Sequence, residues 1–140
     1  MTPRLDTNRI VLHHTLTKSD CTIEEITHWH KLRGFSTIGY HYVIQKDGTV
    51  LEGRQLNLSG AHAKGRNANS VGIALCGDFS VQIPLPAQLD ALNRLIDDLG
   101  VLYDLPLADK YYDVVEYHRT GDNPCPGENF VKIFENRNWI

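Results

Sequence analysis

The chain reads as an α/β protein built on a mixed central β-sheet flanked by helices, and three observations predict it. Two short, mainly apolar runs, Arg9 to Leu12 and Val71 to Leu75, have the pattern of strands buried on both faces. Ile38 to Gln45, the turn Lys46-Asp47-Gly48 and Thr49 to Glu52 form a hairpin pattern, which adds an antiparallel pair. Helical periodicity appears after the first strand and again after the second, which is how α/β sheets are covered.

In chain order, the first strand runs into His13-His14-Thr15. Polar residues at the C-terminal edge of a core strand sit where α/β proteins bind ligands. Neighbouring strand residues face opposite sides, so only one of the two histidines can enter a given site; His14 is assigned to packing or to support of the site. Thr22-Ile23-Glu24-Glu25 is a capping-box pattern opening a helix, with Ile23, Ile26, Trp29 and Leu32 at helical spacing and Gly34 as its stop. This reading makes Trp29 a core residue and His28 and His30 surface or helix residues. In the hairpin, alternation places Tyr40, Tyr42 and Ile44 on one face and His41 and Val43 on the other, His41 pointing to the core or a neighbouring helix. Leu58 to Ser70 is a long loop rich in donors and acceptors, the character of a binding loop.

The strand from Val71 closes on Cys76-Gly77, with Cys76 read as a small core residue. Pro86 opens an amphipathic helix whose stripe is Leu89, Leu92, Leu95, Ile96, Leu99 and Leu102, ending near Asp104. Asp113 to Tyr117 is a last short strand that delivers His118, and Glu128 to Glu135 is a closing helix. No repeat or linker interrupts the sequence, so residues 1–140 are read as a single domain.

A net charge of −3 argues against a nucleic-acid partner, which needs a basic face. No apolar run approaches the roughly 20 residues of a membrane span, and the polar start Met1 to Asp6 lacks a secretory signal. The expectation is synthesis in the cytoplasm, without membrane insertion. Three widely spaced cysteines, Cys21, Cys76 and Cys125, make no disulfide framework and leave at least one thiol free.

The most chemically loaded stretch is Tyr117 to Gly127. It places His118 and Cys125 on one loop braced by Gly121, Pro124 and Pro126. If the strands ending in His13 and His118 are neighbours, both imidazoles leave the same sheet edge and Cys125 folds back over them. A His, His, Cys set leaves one tetrahedral position open, the mark of a catalytic rather than a structural zinc. Arg119 is read as an anchor of this loop through an ion pair or carbonyl contacts.

The chain resembles the zinc-dependent N-acetylmuramoyl-L-alanine amidases of the type 2 family, which include the peptidoglycan recognition proteins. It is most like the single-domain amidase endolysins of tailed phages. The resemblance rests on Val11-Leu12-His13-His14-Thr15, Ile26 to Lys31, Gly39 to Ile44 with Asp47-Gly48-Thr49, and Gly53-Arg54. It continues in His62-Ala63-Lys64-Gly65 with Asn67, Asn69, Ser70 and Gly72, and in His118-Arg119 with Cys125-Pro126-Gly127. It implies one Zn2+ per chain held by His13, His118 and Cys125, and Tyr40 beside the metal assisting attack. It also implies a glycopeptide groove lined by the loop that carries His62, Lys64 and Asn67. The implied reaction is hydrolysis of the amide between N-acetylmuramic acid and L-alanine of the peptidoglycan stem, by a monomer acting on the cell wall as a phage or prophage endolysin does.

One position departs from that pattern. Asn123 stands two residues before the cysteine, where the phage enzymes have lysine and catalytic recognition proteins threonine, and the His118–Cys125 spacing is one residue short. Asn can donate to an oxyanion but cannot be a general acid. Thr120, Asp122 and His62 are the alternatives for protonating the leaving amine. Two rival functions are a recognition module that binds without cutting, against which Cys125 speaks, and a structural zinc domain closed by His14 or Asp122.

Overall fold

The computed structural model describes residues 2–4, 6–106, 114–119 and 123–136. Among the described residues, five strands form one mixed sheet: β1 (Arg9–His14), β2 (Tyr42–Ile44), β3 (Val50–Glu52), β4 (Ser70–Leu75) and β5 (Val115–Tyr117). Their order is β3-β2-β4-β1-β5, with β1 parallel to both β4 and β5, β2 parallel to β4, and β3 antiparallel to β2. The helices are α1 (Ile23–Leu32), α2 (Pro86–Leu102) and α3 (Glu128–Asn136). The expected hairpin, buried core strands and helices are all present.

Side-chain alternation sorts the sheet into two faces. Ile10, Leu12, Ile44, Val71, Ile73, Leu75 and Val115 pack with Leu92, Ile96 and Leu99 of α2 and Phe130 and Phe134 of α3. Val43 and Cys76 face the other way, with Ile26 of α1, Ile38 and Cys21. By the same parity His13, Gly72 and His118 belong to the α1 side, and His14 to the α2/α3 side, where its ring lies near Phe79. The central strands β1 and β4 are buried on both faces, as their continuous apolar runs require.

The helix starts follow sequence chemistry. The Thr22 hydroxyl accepts from Glu25 N–H while the Glu25 carboxylate accepts from Thr22 N–H, the reciprocal cap read from the sequence. At α2, the buried Gln88 carboxamide accepts from Leu85 N–H and donates to the Ile44 and Cys76 carbonyls, tying the helix start to two strand ends.

Four expectations need correction. Trp29 is not core: it is 39% exposed, and Leu32 is 74% exposed. The buried residues of α1 are Ile26 and His30, four apart, so His30 is interior rather than surface. Leu102, the last residue of α2, lies outside its buried stripe at 61% exposure. The strand expected over Ile38–Gln45 is regular only over Tyr42–Ile44. Residues 38–41 bend, so Tyr40 leaves the face of Tyr42 and Ile44 and joins the α1-side cluster. Asp113, Thr120 and Asp122, named in the sequence reading, lie outside the described residues.

Candidate metal centre and active-site cleft

Sheet order puts β1 next to β5, so His13 and His118 leave one edge together, with ring centroids 4.7 Å apart. Cys125 folds back over them on the following loop, its Sγ 3.8 Å from His13 Nδ1. One ligand atom from each of His13, His118 and Cys125 lies within 4.8 Å of the others, the single such cluster among the described residues. In a tetrahedral zinc site, bonds of about 2.0–2.1 Å to nitrogen and 2.3 Å to sulfur put neighbouring donors about 3.3–3.6 Å apart. The donor set fits zinc, and the spacing fits it once the donors close in: Cys125 Sγ and His13 Nδ1 by a few tenths of an ångström, the widest pair by up to about 1.5 Å. His14 is no fourth ligand: its Nδ1 accepts from Phe79 N–H at 3.1 Å on the other face.

The protonation state of each donor can be read from its partners. Ser70 Oγ donates to the Arg66 carbonyl at 2.6 Å, so toward His62 Nε2, at 3.2 Å, it can only accept. That places the His62 proton on Nε2 and leaves Nδ1 as an acceptor. His13 Nε2, 2.8 Å from His62 Nδ1, must then be the donor. With its proton on Nε2, neutral His13 presents the Nδ1 lone pair toward Cys125 Sγ, where a metal would sit. Burial, reinforced by neighbouring imidazoles and Arg66, holds the pKa of His13 and His62 well below the ordinary histidine value, so both are neutral. His118 is lowered as well, by burial and then by Arg66 and Arg33. Burial pushes the Cys125 thiol up to about 12, partly offset by the hydrogen bond it accepts from His14 N–H at 3.3 Å. Neutral imidazoles around a thiol that ionises only with a strong cation beside it make a coherent metal-receiving set.

The loop before β4 supports this centre more than the sequence suggested. His62 stacks over Gly72, where a β-carbon would come within 2.6 Å of its ring, so β4 must be bare at that point. Arg66 reaches across to β5 and donates to the Tyr117 carbonyl at 3.0 Å and the His118 carbonyl at 2.6 Å, while pairing with Glu116 at 3.1 Å. Asn67 Oδ1 accepts from His62 N–H and Ala63 N–H, both at 2.9 Å, leaving only its NH2 for the cleft. His41 Nδ1 accepts from Gly72 N–H, and its Nε2–H donates to the Leu58 carbonyl, so it binds strand to loop rather than to a helix. Buried Arg54 donates to the Ile38 and Ser59 carbonyls and fixes the bend that carries Tyr40. Sequence reasoning singled out no role for Arg66, and it named Arg54 and Ser70 only within the stretches of the resemblance, because each acts largely through backbone carbonyls brought close by the fold.

Tyr40 lies between His13, 5.0 Å away by ring centroids, and His30, 5.1 Å away. Burial raises its hydroxyl pKa, so it is a donor and not a phenolate. His30 Nδ1 accepts from Gly39 N–H at 2.8 Å, and burial lowers its pKa to about 4. Asn123 Oδ1 caps Cys125 N–H at 3.0 Å, which leaves the Asn123 NH2 to face outward. Arg119 pairs with Glu128 and donates its backbone N–H to the Cys125 carbonyl at 2.9 Å, anchoring the loop as expected. At His118 opens a cleft of about 410 Å3, lined also by His30, Arg33, Tyr40, His62, Lys64, Asn67 and Asn123, large enough for an oligomeric ligand segment.

The family described as N-acetylmuramoyl-L-alanine amidase (Amidase_2) matches residues 3–128. The chain belongs to that family. Among its relatives, the endolysin of Klebsiella phage KP32 is 38% identical, over 99% of this chain and 93% of its own length. In structure, the amidase LysC from Clostridium intestinale superposes with a TM-score of 0.83 at 36% identity, covering 95% of this chain and 85% of LysC. The ectodomain complex of peptidoglycan recognition proteins LCa and LCx, solved with bound tracheal cytotoxin, gives a TM-score of 0.83 at 29% identity, over 99% of this chain and 86% of that one. The fold and the sequence resemblance thus agree with the amidase and recognition-protein group.

Proposed function

We propose that this chain is one zinc amidase domain, a monomer that hydrolyses the amide joining N-acetylmuramic acid to L-alanine of the peptidoglycan stem, and that it works as an endolysin on the bacterial cell wall. The observation that carries this reading is the convergence of His13, His118 and Cys125, with His118 lining a cleft, in a chain of this family. A zinc ion held there by those three residues would polarise the scissile carbonyl and lower the pKa of a water toward 7.

The chain's own residues supply the rest. The Tyr40 hydroxyl and the Asn123 NH2 are donors on the cleft side and stabilise negative charge as it builds on the carbonyl oxygen. Arg33 and Lys64 are exposed cations on the rim and meet carboxylates of the stem peptide. His62, with both ring nitrogens committed to His13 and Ser70, orients the ligand His13 and is not free to protonate the leaving amine. Asn123 cannot do so either. In the net reaction the carbonyl carbon–nitrogen bond breaks, the carbon gains OH and the nitrogen gains H.

The test is digestion of purified sacculi by zinc-loaded protein. New L-alanine amino termini with uncut glycan strands are expected. Muropeptide binding with no new amino termini would leave a recognition module in place of an enzyme.

A further inference from the structure

The centre uses one cysteine of three. The other two, Cys21 and Cys76, sit in the α1-side core with Ile26, Ile38 and Val43, and their sulfurs are 3.6 Å apart. Cys76 follows the last residue of β4, and Cys21 directly precedes the Thr22 cap of α1, on the segment that joins β1 to that helix. We propose that Cys21 and Cys76 are a disulfide site, closed when the protein meets a disulfide-donating thiol oxidant, with Cys125 left to the metal.

A disulfide bond is about 2 Å long, so the sulfurs need to approach by roughly 1.5 Å. Cys21 can supply that movement because it lies on a connecting segment rather than in the sheet ladder. Neither sulfur has a strong competing partner: Cys21 Sγ meets Thr17 Oγ1 at 3.5 Å, and Cys76 Sγ lies 3.9 Å from the Cys21 carbonyl. The thiols are also unequal. The hydrogen bond between them pulls the Cys21 thiol down and pushes the Cys76 thiol up, which favours Cys21 as the attacking sulfur.

The step is thiol–disulfide exchange. The Cys21 thiolate attacks one sulfur of the donor disulfide, whose S–S bond breaks and releases one thiol. Cys76 sulfur then displaces the second thiol from the mixed disulfide. One S–S bond forms in the protein and one is lost from the donor. The two thiol protons and two electrons leave with the two released thiols. Cys21 is only 2% exposed, so exchange proceeds through opening of residues 15–22. Once closed, the bridge spans 55 positions, encloses Tyr40 and the His62–Ser70 loop, and pins the start of the helix that carries His30.

The experiment exposes zinc-loaded protein to glutathione disulfide, then denatures, alkylates and maps it by mass spectrometry. Expected are an intact mass lower by two hydrogens, a cross-linked peptide pair holding Cys21 and Cys76, and alkylation of Cys125 alone. The melting temperature should rise by about 10 °C over phosphine-reduced protein, a rise absent in Cys21→Ala. Three alkylated cysteines after prolonged exposure, or a bridge that includes Cys125, would overturn the proposal. So would a mapped bridge with no rise in melting temperature, since the fold would then be strained by it rather than ready for it.

Discussion

His62→Ala separates two roles for the loop before β4. In the structure His62 Nδ1 is the acceptor that fixes the proton of His13 on Nε2, at 2.8 Å, inside a buried pair. Removing it leaves a buried N–H without a partner, a cost of about 1–3 kcal/mol, and frees His13 to put its proton on the nitrogen that faces the metal. Loss of a partner behind a ligand histidine lowers metal affinity about 10- to 100-fold, which is the same 1.4–2.7 kcal/mol. Ser70→Ala removes the acceptor behind His62 and the donor to the Arg66 carbonyl but leaves the His62–His13 contact, and should cost less, about threefold to tenfold. Zinc affinity is measured by competition with a chromophoric chelator, and kcat/KM on a muropeptide is measured at limiting and saturating zinc. The expected result is weakened zinc binding in the order His62→Ala, then Ser70→Ala, with activity largely restored by excess zinc. If His62→Ala binds zinc like the unaltered protein and shows only a raised KM, His62 is a substrate contact and the orientation chain is wrong.

Three further outcomes follow from the same geometry. Tyr40→Phe should retain zinc and lose about 100-fold in kcat, as loss of one oxyanion donor does; unchanged turnover would return Tyr40 to packing between His13 and His30. Arg66→Met should weaken zinc binding without touching the cleft floor, because the His118 carbonyl loses its clamp, and an unaltered zinc affinity would remove that role. His30 and His41 are both held near 4, below their unfolded value of 6.5, by burial. The unfolded chain therefore takes up protons first. The metal-free protein should keep full stability above about pH 6.5 and lose it progressively toward pH 4, by up to about 3 kcal/mol per residue. Urea denaturation at several pH values checks this, and a flat profile from pH 7 to 5 would contradict it.

Much of this fold was legible because it rests on simple periodicities. The runs ending in His13 and Leu75 are apolar enough to be buried strands, and the stripe of α2 from Leu89 to Leu99 is the core it looked like. The meeting of His13, His118 and Cys125 could be read because one histidine lies near the end of a strand, the other directly follows one, and Cys125 is locked between prolines. The failures have equally physical causes. Hydropathy favours Trp29 over His30 for the buried face of α1, but His30 is satisfied by the Gly39 N–H and packs on Tyr40, which no local pattern announces. Strict alternation misplaced Tyr40 because Arg54 bends residues 38–41 by capturing the Ile38 carbonyl. The loop read as a groove from its donors and acceptors does put His62, Lys64 and Asn67 on the cleft, but the bonds that His62, Arg66 and Asn67 also give to the centre and to the loop itself are made by the fold and could not be read.

X-ray absorption at the zinc edge of the purified protein tests the central claim most directly. One sulfur at about 2.3 Å and two histidine nitrogens at about 2.0 Å, with a light fourth scatterer, are predicted, and Cys125→Ala should lose the sulfur shell and most of the metal. A bound zinc with no sulfur neighbour, or with a fourth protein ligand filling the remaining position, would contradict the account.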